Sequence, residues 1–200
     1  MAIEIAFWDI GGVLLTNGWD RKERASVVSS FGLDPEDFEE RHGLAVATFE
    51  SGRMTLEGYL HQTVFCHPRN FSEAAFKERM FAQIKELPGV LEVARALSGR
   101  LRMATLNNES RELNDFRIAT FGLGAIFSDF FSSCYLGRLK PDPQIYQTAL
   151  AISGKSAEQS LFIDDRPLNL ETAESLGFRV LQFQGADRLR ADLGALGLLG

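Results

Sequence analysis

Four short polar stretches, three of them directly after an apolar run, could together act on an anionic substrate. They are Asp9-Ile10-Gly11-Gly12, Asn107-Asn108, Gly137 to Pro143 with Lys140, and Asp164-Asp165-Arg166. If the three aspartates lay within a few ångströms of one another, at least one would keep a raised pKa and stay protonated unless cations balanced their charge. A Mg²⁺ ion and the Lys140 ammonium would balance it, and that combination suits a phosphate-bearing substrate.

For these stretches to form one site, the strands that precede them must end close together. Residues 3–8 form an apolar run with the length and the β-branched and aromatic content of a buried strand. Further strands are expected at 101–106, 126–131, 161–163 and 180–183, alternating with helices at 90–97, 111–121, 143–152 and 167–176. This alternation predicts an α/β fold, a Rossmann-like and mostly parallel sheet with helices on both faces. Ligands of such sheets bind at the carboxyl ends of the strands, so the four stretches are expected at one edge.

The chain between the first strand and Pro88 has helical rather than strand periodicity. The first helix is expected over 19–31, and N-caps at Asp34, Thr55 and Ser72 predict three more. Four short amphipathic helices predict a small bundle, so we expect a core formed by 1–15 and 88–200 and a helical cap formed by 16–87. The buried face of the second helix is expected to carry Phe38, Leu44, Ala45 and Phe49, and residues 193–200 are expected to fray.

Composition bounds the remaining possibilities. Two hundred residues with 45% hydrophobic content can bury a substantial core. A net charge of −6 argues against nucleic acid as the main partner. Cys66 and Cys134 suggest neither a disulfide framework nor a thiolate metal site. With neither a signal peptide nor a membrane-spanning run, we expect a cytoplasmic protein without a membrane partner, and the oligomeric state is open.

The same stretches resemble the motifs of a known enzyme family. The turn at Asp9 resembles motif I of the haloacid dehalogenase-like (HAD) hydrolases, residues 137–146 resemble motif III, and residues 163–169 resemble motif IV. Their order and spacing are similar to subfamily I, in which a helical cap follows motif I. Sugar-1-phosphate phosphatases and the amino-terminal phosphatase domain of soluble epoxide hydrolases are the relatives that the pattern suggests. The resemblance implies a Mg²⁺-dependent phosphatase acting on small phosphorylated substrates.

The resemblance also implies roles for individual residues. Asp9 would attack phosphorus and become an aspartyl phosphate. Mg²⁺ would be bound by Asp9, the backbone carbonyl of Gly11 and Asp165, with Asp164 adjacent or holding a metal-bound water. Lys140 would keep Asp9 ionised and share charge with the transferring phosphoryl oxygens, which makes it both catalytic and substrate-binding.

Two positions depart from the family pattern. Gly11 stands where the family has a second aspartate that acts as general acid/base, an effect worth roughly 10²–10⁴-fold in rate. Without that acid, we expect a bias toward sugar-1-phosphate-like or similarly activated esters, whose leaving groups are weak bases. Asn107 stands where the family has Ser or Thr, with Asn108 on the following Asn; an amide can still donate to phosphate, and Thr105 is the alternative. Arg166 is a further candidate for substrate binding.

Three other functions remain open. A non-catalytic binder of a phospho-ligand or partner would explain Gly11 and Asn107. A dehalogenase uses the same nucleophile but replaces the acid pair of motif IV, which is present here. A phosphonate hydrolase tolerates a small residue at position 11 but needs a cap lysine, for which Lys22 is the candidate.

The cap is expected to select the substrate. Trp19, Lys22, Arg41 and His42 are the candidates to face the cleft. The phenylalanines at 49, 65, 71, 76 and 81 are expected to form the cap core instead, and His61 and His67 lack the acidic neighbours of a transition-metal site.

Overall fold

The central element is a five-stranded parallel sheet, seen in a computed structural model that describes residues 2–199. Its strands are β1 (Ile5–Trp8), β2 (Arg102–Asn107), β3 (Asp129–Ser132), β4 (Ser160–Asp164) and β5 (Arg179–Gln182), in the order β3-β2-β1-β4-β5. The described chain also has helices α1 (Arg21–Ser30), α2 (Pro35–Glu50), α3 (Leu56–Thr63), α4 (Glu73–Phe81), α5 (Val90–Ser98), α6 (Arg111–Thr120), α7 (Ser133–Leu136), α8 (Pro143–Ser153), α9 (Pro167–Ser175) and α10 (Ala186–Ala195). The predicted α/β architecture is confirmed.

The central strand β1 is buried on both faces. Ala6 and Trp8 belong to one hydrophobic cluster, whereas Ile5 and Phe7 belong to the other, as the alternation of side chains along a strand requires. Trp8 pairs with Thr105 on β2 and with Ile163 on β4. The carboxyl ends of these three strands therefore lie level at one edge of the sheet.

The strand ends differ slightly from the sequence prediction. Asn107 and Asp164 are the last residues of their strands rather than the first residues of the loops, because each still pairs with a neighbouring strand, Asn107 with Ser132 and Asp164 with Gln182. The strand predicted at 126–131 begins only at Asp129, and the short helix α7 follows it directly. These shifts of one to three residues leave the polar groups at the expected edge.

Helices α1 to α4 all lie between β1 and α5. The predicted caps are confirmed, since the side chains of Asp34, Thr55 and Ser72 each accept a backbone N–H at the start of their helix. The first helix begins at Arg21 because Asp20, not an earlier residue, is its N-cap. The prediction for Leu44 is wrong: it is 83% exposed. The buried stripe of α2 is Phe38, His42, Ala45 and Phe49, so His42 takes the place predicted for Leu44.

The aromatic residues of the inserted helices divide between two locations. Phe31 packs on Phe71 and Phe76, with ring centroids 4.5 and 5.1 Å apart, and forms the interior of the bundle. Phe81 of α4 instead lies with its ring centroid 4.6 Å from that of Phe116, so it packs the inserted helices against α6.

Two chain segments connect the inserted helices to the sheet, and they pair with each other. The Thr16 N–H donates to the Lys85 carbonyl at 2.8 Å, and the Leu87 N–H donates to the Leu14 carbonyl at 3.0 Å. The boundary predicted at residues 15/16 and 87/88 falls within these paired segments, and the division into two domains stays a prediction.

The carboxyl-terminal segment is packed against the core, although the sequence predicts that it frays. Leu193 of α10 and Leu199 are buried in the larger hydrophobic cluster, while Gly200 lies outside the described residues. Among residues 2–199, no helix is both long and apolar enough to cross a bilayer. The cytoplasmic location stays a prediction from the sequence.

Candidate active site

Asp9 lies directly beyond the end of β1, at the sheet edge. Its backbone N–H donates to the Ile163 carbonyl at 2.8 Å, which continues the ladder with β4 by one residue. Its Oδ1 accepts the N–H of Ile10 at 2.8 Å. The backbone of Asp9 is therefore fixed to β4, and its side chain is fixed to the turn that follows. The residue is largely buried, with an exposed fraction of 7%.

The Lys140 ammonium lies between two of the predicted carboxylates. Its Nζ is 2.6 Å from Asp164 Oδ2 and 3.1 Å from Asp9 Oδ1. Its backbone is held by Asn108, whose Oδ1 accepts the Lys140 N–H at 2.7 Å and whose Nδ2 donates to the Lys140 carbonyl at 2.9 Å. The loop after β3 is thereby tied to the end of β2, and this tie places the ammonium.

The two acids at the end of β4, Asp164 and Asp165, differ in how many hydrogen bonds their carboxylates accept. Besides Lys140, Asp164 accepts the Arg166 N–H at 2.8 Å and the Asn169 amide at 3.0 Å, and it is completely buried. Asp165 Oδ1 is buried and has no hydrogen-bond partner. One carboxylate oxygen from each of Asp9, Asp164 and Asp165 lies within 4.8 Å of the others.

The charges of this cluster are unbalanced. Burial is the largest of the effects that together raise the pKa of Asp9 to about 7, since Lys140 lowers this pKa while Asp164 and Asp165 raise it. Burial and Asp164 also raise the pKa of Asp165, whereas Asp9 and Asp164 raise the pKa of Lys140 despite its burial. Three carboxylates facing one ammonium, with a buried oxygen left unpaired, form a donor set that fits a hard divalent cation such as Mg²⁺.

The turn at Gly12 allows Asp165 to approach closely. Gly12 has φ +80°, and a Cβ built there would lie 2.5 Å from Asp165 Oδ2. A side chain at this position would have to displace the Asp165 carboxylate, so both the backbone conformation and the close contact favour glycine.

Asp9 and Lys140 of this cluster line a cavity of about 590 Å³, within the usual range for small-molecule sites, whereas Asp164 and Asp165 do not line it. Charged residues that the sequence interpretation missed also line it: Asp20, Arg24, Glu50, Glu109 and Arg117. Only Glu109 had a recognisable signal, since it follows Asn108 at a strand end. The others lie on helices or in the loop before α1. Which way their side chains point depends on how these elements pack, which the sequence does not reveal.

The wall formed by the inserted segment combines aromatic with charged side chains. Trp19, His42 and Phe49 line it together with Val46. The Tyr59 hydroxyl accepts a hydrogen bond from Trp19 Nε1 at 3.0 Å and forms a second one, of 2.8 Å, with His42 Nδ1. Burial and the nearby Arg24 lower the pKa of His42 to about 4, so this imidazole is neutral at pH 7.

The structure sorts the remaining candidates. Asn108 and Arg166 line the cavity, and Arg166 also lies 3.4 Å from Asp20 at the start of α1. Asn107 is absent from the cavity wall, since its Nδ2 donates inward to Asn114 at 3.0 Å.

Of the other residues considered from the sequence, Thr105 is completely buried within β2 and does not line the cavity. Lys22 and Arg41 do not line it either. Lys22 is exposed on α1, and Arg41 pairs with Asp37 along α2.

Solved structures share this fold. A HAD-like family hydrolase from Porphyromonas gingivalis superposes with a TM-score of 0.80 at 22% identity, covering 98% of each chain. A HAD family enzyme from Bacteroides thetaiotaomicron, in complex with magnesium and inorganic phosphate, gives 0.80 at 19% identity, covering 92% of this chain and 96% of that one. The L-2-haloacid dehalogenase of Xanthobacter autotrophicus gives 0.64 at 16% identity, covering 97% and 84%.

Sequence comparison identifies the family. The chloroplast flavin mononucleotide hydrolase 1 of Arabidopsis thaliana is 29% identical over 187 residues, covering 86% of this chain and 70% of the relative. The family model for haloacid dehalogenase-like hydrolases matches residues 3–177. The chain therefore belongs to the haloacid dehalogenase-like hydrolase family.

Proposed function

We propose that the protein is a Mg²⁺-dependent phosphatase of small phosphomonoesters that works through an aspartyl phosphate on Asp9. The observation that carries this proposal is the position of the Lys140 ammonium, 3.1 Å from Asp9 Oδ1 and 2.6 Å from Asp164 Oδ2. A buried carboxylate beside a fixed cation, both lining a cavity, suits nucleophilic attack on an anionic group.

In the first step, a carboxylate oxygen of Asp9 forms a bond to phosphorus, and the bond from phosphorus to the ester oxygen breaks. Lys140 favours the ionised form of Asp9 and attracts the phosphoryl oxygens. Water then hydrolyses the aspartyl phosphate to inorganic phosphate. Asn108 acts as a positioning residue in this scheme, because both ends of its amide hold the Lys140 backbone.

The metal would be held by Asp9, the Gly11 carbonyl and Asp165. Asp165 Oδ1 lacks a partner, whereas Asp164 already accepts bonds from Lys140, Arg166 and Asn169, so Asp165 is the better direct ligand. When bound, Mg²⁺ would supply the positive charge that three carboxylates and a dianionic phosphate require.

Two substrate classes compete for this site. Gly11 provides no side-chain acid, which favours sugar-1-phosphate-like esters with good leaving groups. The aromatic wall of Trp19, His42 and Phe49, together with the similarity to a flavin mononucleotide hydrolase, favours a phosphate carried by a planar aromatic group. Flavin mononucleotide is a primary alkyl ester, whose leaving alkoxide is a strong base, so the two arguments predict different rankings.

The test is phosphate release from α-glucose 1-phosphate, 4-nitrophenyl phosphate and flavin mononucleotide, with and without Mg²⁺. We expect metal-dependent hydrolysis that Asp9→Asn abolishes, with the activated esters ahead in kcat. A rate that does not depend on the leaving group would contradict the leaving-group bias, and efficient use of flavin mononucleotide alone would favour the aromatic substrate.

The alternative functions have distinct outcomes in the same assay. Binding of phosphate esters without any release would favour the non-catalytic binder. A phosphonate hydrolase that uses Lys22 would be trapped on its substrate by borohydride, but that lysine is exposed and outside the cavity wall. We expect no trapping.

A further inference from the structure

The space beside Gly11 is already occupied by two neighbouring side chains. A Cβ built on Gly11 would lie 3.3 Å from Arg117 Nη1 and 3.2 Å from Asn17 Oδ1. A Cβ on Gly18 would lie 3.1 Å from Arg117 Nη2. The guanidinium thus fits between two glycines of the loop that follows β1.

The Arg117 side chain is held firmly at this position. Its Nη2 donates to the Asn17 carbonyl at 2.6 Å and lies 2.8 Å from Glu109 Oε2. The side chain is only 2% exposed, yet it contributes to the cavity wall. Nη1 has only a long contact of 3.5 Å to the Thr16 carbonyl, and Nε is buried without a partner. Nη1, the nitrogen nearest Gly11, therefore keeps donor capacity.

We propose that Arg117 replaces the acid that position 11 lacks, by donating a hydrogen bond from Nη1 to the leaving-group oxygen as the phosphorus–oxygen bond breaks. This inference rests on the proposed phosphatase function and adds a catalytic residue to it. Glu109 is a positioning residue, because it pairs with Nη2 of the guanidinium and leaves Nη1 available as a donor.

The electron pair of the broken bond stays on the leaving oxygen, where the guanidinium stabilises the negative charge. A guanidinium keeps its proton in proteins, so no proton is transferred from Arg117. The alkoxide or phenoxide instead takes its proton from water. Stabilisation without proton transfer helps most when the leaving oxygen develops the most negative charge, and therefore helps poor leaving groups most.

A purely structural role for Arg117, as a brace for residues 16 and 17, predicts a different result. Loss of a brace would lower the rate for every ester by a similar factor. Loss of a leaving-group contact would lower it unevenly. The dependence of the rate on leaving-group acidity therefore separates the two roles.

The experiment measures kcat and kcat/KM with Mg²⁺ on aryl phosphates from 2,4-dinitrophenyl to phenyl phosphate. The test variant is Arg117→Met with Glu109→Gln, which removes both charges of the buried pair together. We expect a loss of about 10- to 100-fold for phenyl phosphate and little loss for the dinitrophenyl ester. Arg117→Lys keeps the positive charge in a smaller group, so its loss of rate on phenyl phosphate should be smaller than that of the double variant. It also provides a folded test protein if the double variant does not fold.

The control is Arg102→Met with Asp129→Asn, an ion pair at the edge of the sheet with an N···O distance of 2.8 Å. It should leave both the rates and their leaving-group dependence unchanged. An equal loss across the series, or no loss, in the Arg117 variants would overturn the inference while leaving the phosphatase proposal standing. Failure of the wild type to hydrolyse even the dinitrophenyl ester, on which Asp9→Asn serves as the blank, would refute both.

Discussion

The two sides of the cavity are built on different physical principles. The floor is the charged cluster of Asp9, Lys140, Asp164 and Asp165, of which Asp9 and Lys140 line the cavity while Asp164 and Asp165 lie behind them. Lys140 and Asp164 are almost wholly buried. The roof is the aromatic group of Trp19, His42 and Phe49, which line the cavity, with Tyr59 behind them. The Tyr59 hydroxyl bonds to Trp19 and His42, and its ring stacks on Phe49. The arrangement of the floor therefore depends on charge balance, whereas the arrangement of the roof depends on ring packing and individual hydrogen bonds.

This difference determines how each side should respond to substitution. In the floor, Lys140 lowers the pKa of Asp9 whereas Asp164 and Asp165 raise it. Removing one charge therefore disturbs the whole cluster. In the roof, removing one polar atom should cost about one hydrogen bond and leave the chemistry in place.

The largest effect is expected for Lys140→Met. It leaves the carboxylates of Asp9 and Asp164 buried without their cation, and removal of one partner from a buried ion pair costs about 3–5 kcal/mol. We expect that loss in urea denaturation, together with loss of phosphatase activity. Mg²⁺ should restore part of the stability, because it replaces the missing positive charge.

The matched control is Lys155→Met, whose ammonium pairs with Glu4 at the surface. That substitution should change the free energy of unfolding by less than about 1 kcal/mol. Equal effects of the two substitutions would show that the floor is not an electrostatic unit.

The next effect is expected for Gly12→Ala. The left-handed backbone costs an alanine roughly 1–2 kcal/mol, and its Cβ would meet Asp165 Oδ2 at 2.5 Å. We expect a total loss of about 2–4 kcal/mol and a weaker affinity for Mg²⁺, measured by metal titration of activity. Gly154→Ala separates the two causes, since Gly154 has φ +68° with no neighbouring atom within 4 Å. If both variants lost the same stability and both kept the Mg²⁺ affinity of the wild type, the close approach of Gly12 to Asp165 would not matter for metal binding.

The floor could be predicted from the sequence because parallel strands with buried faces bring their ends to one edge. The sequence did not reveal that the Asn107 amide donates to Asn114 on α6, which keeps it off the cavity wall. Arg117 could not be predicted, since its contact with Gly11 joins residues far apart in sequence and depends on the rotation of α6. In the roof, Trp19 and His42 were among the candidates, but Lys22 and Arg41 were equally plausible from helical periodicity alone.

A smaller effect is expected in the roof, for Tyr59→Phe. The ring would remain stacked on Phe49, with a centroid distance of 4.3 Å, but Trp19 Nε1 and His42 Nδ1 would lose their shared partner. We expect a loss of about 1–3 kcal/mol in stability and a higher KM with little change in kcat. Tyr135→Phe, in a residue that is 39% exposed, is the control. A fall in kcat as large as that caused by Lys140→Met would contradict the division between floor and roof.

The smallest effect, and the one of opposite sign, is expected for Glu50→Gln. This residue ends α2 and lines the cavity between the floor and the roof. Burial and the Glu109 carboxylate raise its pKa from 4.5 to about 7, while Arg166 and Arg24 oppose this and Asp20 adds to it. Because the folded state disfavours the ionised form, ionisation of Glu50 destabilises the protein.

The destabilisation is absent below pH 4.5, grows as the pH rises through the interval up to 7, and is constant above it. Glu50→Gln should therefore stabilise the protein by about 1–2 kcal/mol at pH 8 and leave it unchanged at pH 4.5, as measured by urea denaturation at both values. Glu40→Gln, on the exposed side of the same helix, controls for the change in net charge. A variant that is equally destabilised at both pH values would indicate that the Glu50 carboxylate is held by specific bonds, and would place it with the floor instead.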